Sequence, residues 1–199
     1  MPDALRWWMF RQGRGAPIRA LLFLAAALSL QAGSVATGKA DARVAIMRLT
    51  SSAFYDGSGI PTKYTCEGAD VSPPLSWDGV PAATRSLALI VDDPDAPDPA
   101  APKQTWVHWV VFDLPSDLGG LPENVGRLAR GRIGVNDWNR TSWGGPCPPI
   151  GRHRYMFKLF ALDRVLELAH PSKVELERAM DGHILAKATM IGTYQKHGR

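Results

Sequence analysis

Asp93, Asp95, His108, His153 and Tyr155 are the residues of this chain whose types and neighbours best suit chemistry. The two aspartates alternate with prolines in Asp93-Pro94-Asp95-Ala96-Pro97, directly after the apolar run Ser86–Val91. Carboxylates at a strand end need water or a partner, and prolines stiffen the turn that holds them. A second apolar run then opens as Trp106-Val107-His108-Trp109. A histidine inside such a run is expensive unless its ring nitrogens are satisfied. A carboxylate delivered by the preceding strand end is a natural partner. The same residues also read as a purely structural His–Asp pair in a core.

A third stretch runs Gly144-Gly145-Pro146-Cys147-Pro148-Pro149-Ile150-Gly151-Arg152-His153-Arg154-Tyr155. Glycines let a backbone approach a ligand, and their N–H groups can receive an anion. His153 and Tyr155 leave the following strand on one side and add donors. The set reads as an anion-receiving cup, with carboxylates orienting the histidines; a rigid loop without a ligand is the alternative. Protonated His108 or His153 would give charge-assisted hydrogen bonds, so binding should weaken as pH rises through the histidine pKa values. A hydrolase would use His, Asp and Tyr as acid and base, with Cys147 as thiol nucleophile. The chain lacks a Gly-x-Ser-x-Gly elbow, a His-Glu-x-x-His pair and a phosphate-binding P-loop. Cys147, clamped between prolines, suits a structural role better. Asp93-Pro94-Asp95 lacks the glycine turn and distal glutamate of a calcium loop. The expectation is a non-enzymatic binding protein with neither metal nor cofactor.

The elements that must hold these residues are mostly strands. Ala42–Leu49 begins the domain, Ile60–Thr65 suits a short strand, and Ser86–Val91 is apolar on both sides. In Trp106–Leu114, strict alternation puts Trp106, His108, Val110 and Phe112 on one face and Val107, Trp109 and Val111 on the other. Both faces are apolar, so the strand should be central and covered on both sides. His153–Leu162 is a third strong strand, and Pro115–Thr141 reads as loop. A long C-terminal helix is expected from the capping box Ser172…Glu175 and the stripe Val174, Leu176, Ala179, Met180, His183, Ile184, Lys187, Met190. His183 reads as core-packing or capping, and His170 and His197 as solvated. The architecture is a mainly β, antiparallel sandwich with a C-terminal α-helix, one domain over residues 41–199.

Residues 1–40 read as a secretory signal peptide and short leader. Arg6, Arg11, Arg14 and Arg19 precede an 11-residue apolar run, Ala20–Leu30, and small residues follow. Cleavage after Ala32, Ala36 or Ala40 fits; an uncleaved anchor is the alternative, though the run is short for a membrane span. No cysteine follows for lipid attachment, and no arginine pair precedes. Five of the 23 Lys and Arg and one of the 19 Asp and Glu lie in these 40 positions, leaving 18 of each in the domain. That balance gives no basic footprint for nucleic acid. The expected location is periplasmic or secreted, with no permanent membrane span after processing. In such a compartment Cys66 and Cys147 are either bridged or two buried thiols.

Asp-Pro-Asp-Ala-Pro, Trp-Val-His-Trp and Gly-Gly-Pro-Cys-Pro-Pro-x-Gly-x-His-Arg-Tyr-x-Phe-Lys-Leu-Phe-Ala-Leu-Asp together resemble the signature regions of the phosphatidylethanolamine-binding protein family, also called Raf kinase inhibitor proteins. Flanking stretches are similar to its bacterial branch: Tyr55–Trp77, Ser86–Pro97 and Gly182–Tyr194. The resemblance spans Met47–Tyr194. It implies an antiparallel β-sandwich with a small pocket for phosphate-like anions, including phospholipid headgroups. On matching positions the pocket would hold Asp93, Asp95, Trp106, His108, Gly145, Pro146, His153 and Tyr155. Asp92, outside the motif, reads as exposed or structural. Cys147 stands where the eukaryotic pattern has its second proline, as in the bacterial branch. A second function is compatible with these features: inhibition or modulation of a partner protease or kinase through residues 98–105 or 118–139.

Overall fold

The computed structural model describes residues 46–197, so the leader and residues 42–45 of the expected first strand lie outside it. Apolar runs broken by proline and glycine turns give strands β1 (Arg48–Thr50), β2 (Leu75–Asp78), β3 (Ser86–Asp93), β4 (Trp106–Pro115), β5 (Gly120–Leu121), β6 (Arg132–Ile133), β7 (His153–Leu162) and β8 (Ile184–Tyr194), with helix α1 (Lys173–Met180) before β8. They form a three-stranded sheet, β1-β2-β5, and a five-stranded sheet, β6-β4-β3-β7-β8. Every strand pairing in the two sheets is antiparallel. Thr62–Tyr64 is a 3-10 turn rather than the expected strand, and β5 and β6 lie within the stretch read as loop.

The large sheet is covered on both faces. Leu87, Leu89, Val91, Trp109, Phe157 and Leu159 pack with Leu49, Leu75 and Trp77 of the small sheet. Ala88, Ile90, Val110, Phe112 and Leu162 form a second core with Leu176 and Met180 of α1. All eight residues of β3 are buried, as befits a central strand. Burial of this order is the main favourable term in folding.

Strict alternation fails along β4. Val91 pairs with Trp109 but Asp92 pairs with Val107, which leaves His108 as an extra residue. A β-bulge of this kind re-aims the side chains on either side of it. Val107 therefore joins Val110 and Phe112 in the helix-side core. The other face of the sheet carries Trp109 and Val111, and His108, whose ring meets Tyr155. A second shift falls at Asp113, with φ 52°, whose carboxylate accepts from the Leu166 and Glu167 amides.

The long C-terminal helix is corrected to a short helix followed by a strand. The capping box is present: Ser172 Oγ accepts from the Glu175 amide, and Glu175 accepts from the Ser172 amide at 2.8 Å. The helix ends at Met180, and Gly182 takes φ 75° in the turn, the left-handed geometry that commonly stops a helix. Ile184–Tyr194 then pairs along β7, burying Ala188, Met190, Gly192 and Tyr194 at a period of two. His183 is half-buried and bonds Asp163 through Nδ1 at 2.9 Å. Asp92 has the structural alternative of its two readings. Fully buried on the helix side of β3, it meets Lys158 of β7 at 2.7 Å and Lys173 of α1 at 2.6 Å, and so fastens the helix to the sheet.

Candidate functional site

Sheet order brings the site together. The end of β3 lies between the starts of β4 and β7, with Asp93 opposite Trp106 and Asp92 opposite Met156. Asp93, His153 and Tyr155 thus meet although 60 residues separate the aspartate from the histidine. His153 Nδ1 is 2.7 Å from Asp93 Oδ2, and Nε2 is 2.9 Å from the Ile150 carbonyl. A carbonyl only accepts, so Nε2 carries a proton. A second proton lies in the bond to Asp93, and whichever partner holds it, the pair is neutral overall. Burial pushes the Asp93 carboxyl up, and hydrogen bonds from His153 and the Asp95 amide oppose that shift. Asp95 turns the other way. It accepts from the Arg154 side chain at 2.6 and 2.9 Å and from the Arg154 amide, contacts that hold its carboxyl below the usual range.

His108 is buried, and its Nδ1 donates to the Gly144 carbonyl at 2.6 Å. Burial lowers its pKa to about 4, so at neutral pH the proton on Nδ1 is the only one on the ring. Nε2 is then a bare acceptor, and it has no partner. Asn136 positions the loop that supplies the carbonyl. Its side chain donates to the His108 and Ser142 carbonyls and accepts from the Trp138 and Arg140 amides. That loop sets the Trp138 ring edge-on to His108 and Trp106, with centroids 5.1 and 5.3 Å away. On the other side, Tyr155 meets His108 at 5.1 Å.

These rings surround a cavity of about 350 Å³. Of the expected residues, Asp93, Trp106, His108, His153 and Tyr155 line it. Asp95, Gly145 and Pro146 do not. Trp138, Gln104 and the segment Cys147–Pro149 complete the lining together with Ala96 and Pro97. Sequence reasoning missed Trp138 because its stretch has no periodicity; an aromatic beside an Asn-Asp turn was the available signal. Trp106 Nε1, His108 Nε2 and Tyr155 Oη are buried without any hydrogen-bond partner, and all three belong to this lining. Burial also pushes the Tyr155 hydroxyl pKa up, so it keeps its proton.

Two parts of the expected cup are corrected by this geometry. The glycine amides are engaged elsewhere: Gly144 N–H donates to the His108 carbonyl and Gly145 N–H to Asp70 Oδ1 at 2.7 Å. Protonated histidines are not its donors, because His108 is held neutral by burial and both nitrogens of His153 already have protein partners. Cys147 has the structural role that its proline clamp suggested, bridged to Cys66 across 81 residues with Cα atoms 5.4 Å apart. Closing a loop of that length stabilises by about 4 kcal/mol in the chain-entropy model. The bridge also ties one wall of the cavity to the turn after Tyr64. Among the described residues there is no group of three or more His, Cys, Asp or Glu that could hold a metal, and no helix long and apolar enough to cross a membrane.

Comparison with known proteins agrees with the motifs. Residues 50–195 match the model of the family described as phosphatidylethanolamine-binding protein. A UPF0098 protein of Methanothermobacter thermautotrophicus is 51% identical over 155 residues, covering 75% of this chain and 99% of that protein. Among solved structures, a phosphatidylethanolamine-binding protein homolog from Chlamydia trachomatis superposes with a TM-score of 0.71 at 43% identity, over 77% of this chain and 99% of that one. Escherichia coli YbcL, a member of the same family, does so with a TM-score of 0.67 at 30% identity, over 76% of this chain and 99% of that one.

Proposed function

The chain belongs to the phosphatidylethanolamine-binding protein family, and from that premise we propose that it is a non-enzymatic binding protein whose cavity takes small phosphate-like anions or phospholipid headgroups. One observation carries the reading: three residues that line a single cavity, Trp106, His108 and Tyr155, each carry a buried polar atom without a partner. An unmade buried hydrogen bond costs about 1–3 kcal/mol, so a ligand that completes these bonds is favoured. Trp106 N–H and Tyr155 O–H supply donors for anionic oxygens. Asp93, Asp95, Gly145, Pro146 and His153 act as positioning residues, through the Asp93–His153 bond, the Asp95–Arg154 pairing and the fixed glycine loop.

A leader of secretory type and a disulfide in the fold together support export to an oxidising compartment. With Cys147 bridged, the cavity lining offers no thiol to attack a bound ester, which favours binding without turnover. The test is calorimetric titration with inorganic phosphate and phosphoethanolamine, beside a His108→Ala variant. Saturable binding that is lost in the variant is expected. No binding to the unaltered protein refutes the reading.

A further inference from the structure

We propose a second binding site, beside β6 at the edge of the large sheet, for a small organic carboxylate with an apolar chain. It is a groove of about 600 Å³, within the size range of small-molecule sites. Phe112, Leu128, Ile133 and Leu168 line it together with Arg127 and Arg132, and no Asp or Glu does. It shares no residue with the cavity around His108. The place follows from the fold. β6 is an edge strand of two residues, paired with Val111 and Phe112 of β4. Both cores reach the surface beside it: Leu128 and Ile133 pack on the core between the sheets, and Leu168 on the core under the helix. All three are only half-buried, so apolar surface gathers in one concave place instead of lying scattered.

The segments that frame the groove are tethered. Arg132 Nη1 donates to the Leu168 carbonyl at 2.9 Å, and the Val135 amide donates to the Pro171 carbonyl at 2.9 Å. Gly134 permits that approach, since a Cβ there would collide with the Pro171 carbonyl. The segment 126–131 is anchored by Arg130, which forks onto Asp117 with contacts of 2.9 and 3.3 Å. A ligand therefore does not have to order these segments when it binds. The arginines differ in what they have left to offer. Arg130 is committed to Asp117. Arg132 lies 3.9 Å from Asp113, whose oxygens already accept from the Leu166 and Glu167 amides. Arg127 has no ion pair among the described residues. A guanidinium keeps its charge and presents paired donors that match a carboxylate. His170, at φ 46°, adds an imidazole to the same rim. Two guanidinium groups over apolar sides, with no acid in the lining, favour an anionic head on an apolar body and oppose an ammonium of the same shape. A singly charged carboxylate suits half-buried apolar sides better than a dianion, which loses more hydration there.

The experiment is titration of the full protein with octanoate, hexanoate, octanol and octylamine at neutral pH, followed by calorimetry and by proton–nitrogen NMR. Octanoate should bind saturably. Hexanoate should bind more weakly, by about twofold for each methylene lost. Octanol and octylamine should each bind at least about tenfold more weakly than octanoate. The amide signals of Gly126, Gly131 and Gly134 should move on octanoate binding, and the indole signals of Trp106 and Trp138 should stay. Arg127→Gln breaks no ion pair of the fold, so it should keep the spectrum of the free protein while octanoate affinity falls about fivefold. Absence of octanoate binding overturns the proposal. So does octanol or octylamine affinity within tenfold of octanoate, or equal affinity for hexanoate and octanoate. Affinity unchanged in Arg127→Gln overturns it as well. Shifts centred on Trp106 and Trp138 overturn it by assigning the carboxylate to the cavity around His108.

Discussion

Acidification should loosen this fold through His108. In the folded protein the ring titrates near 4 because burial disfavours its charged form, with Asp92 on β3 and His153 on β7 as the neighbouring charges and the Gly144 bond opposing. In the unfolded chain an exposed histidine titrates near 6.5. Between those values the unfolded state takes up a proton that the folded state refuses. The contribution is therefore fully present above about pH 6.5, falls as pH drops, and is gone below about 4. The full span is about 3 kcal/mol, of which about 2 kcal/mol is lost on going from pH 7.5 to pH 5. Carboxylates with lowered pKa, Asp95 among them, also lose stability in acid, so the His108 share must be isolated. Urea unfolding at pH 7.5 and pH 5, followed by tryptophan fluorescence, on the protein and on His108→Asn does this. The unaltered protein should lose about 2 kcal/mol more than the variant over that interval. An equal loss in both refutes the reasoning. So does an NMR titration of the folded protein that places the His108 midpoint near 6.5.

Tyr155→Phe removes a buried hydroxyl that has no partner, so stability should hold or rise by up to about 1 kcal/mol while phosphate affinity falls; calorimetry and urea unfolding read the two effects separately. Asp92→Asn leaves two lysine ammonium groups, each largely buried, around an uncharged amide, and should destabilise by about 3 kcal/mol. The triple replacement Asp92→Leu, Lys158→Met, Lys173→Met should recover most of that loss in the same unfolding assay. Replacing both Cys66 and Cys147 by alanine opens an 81-residue loop and should lower unfolding free energy by about 4 kcal/mol, with the midpoint in urea as the readout.

The central strands were legible because their signals were local. Ser86–Val91 and His153–Leu162 are apolar runs of strand length, and both are buried strands. Pairing them side by side is what turns Asp93 toward His153, whereas the expected partner of this strand-end carboxylate was His108, which bonds the Gly144 carbonyl instead. The register of β4 was not legible, because a bulge leaves no mark in an apolar run: Val107 and His108 exchange faces only once the pairing with Asp92 and Val91 is known. The last strand was misread for a different reason. Val174, Leu176, Met180, Ile184 and Met190 suit a helical stripe, but the alternation of Ala186, Ala188, Met190, Gly192 and Tyr194 suits a strand equally, and Gly182 marks where one period gives way to the other. The cup was legible as a set of residues and not as a set of donors. Which ring nitrogens are already engaged depends on backbone carbonyls at Gly144 and Ile150 that no residue type announces.

The spread of the site along the chain also sets when it can exist. Pairing β3 with β4 is a neighbouring event, but His108 meets Gly144 across 36 residues and Asp93 meets His153 across 60. Long-range closures of this kind carry an entropy penalty that is offset only after both partners arrive, and they make folding slow. A chain that has formed only the β3–β4 pair holds Trp106 and His108 against nothing. The cavity appears when β7 docks between β3 and β8. During refolding, then, strand signal should recover ahead of the ability to bind a ligand, and the first molecules to bind are those in which the central sheet is complete.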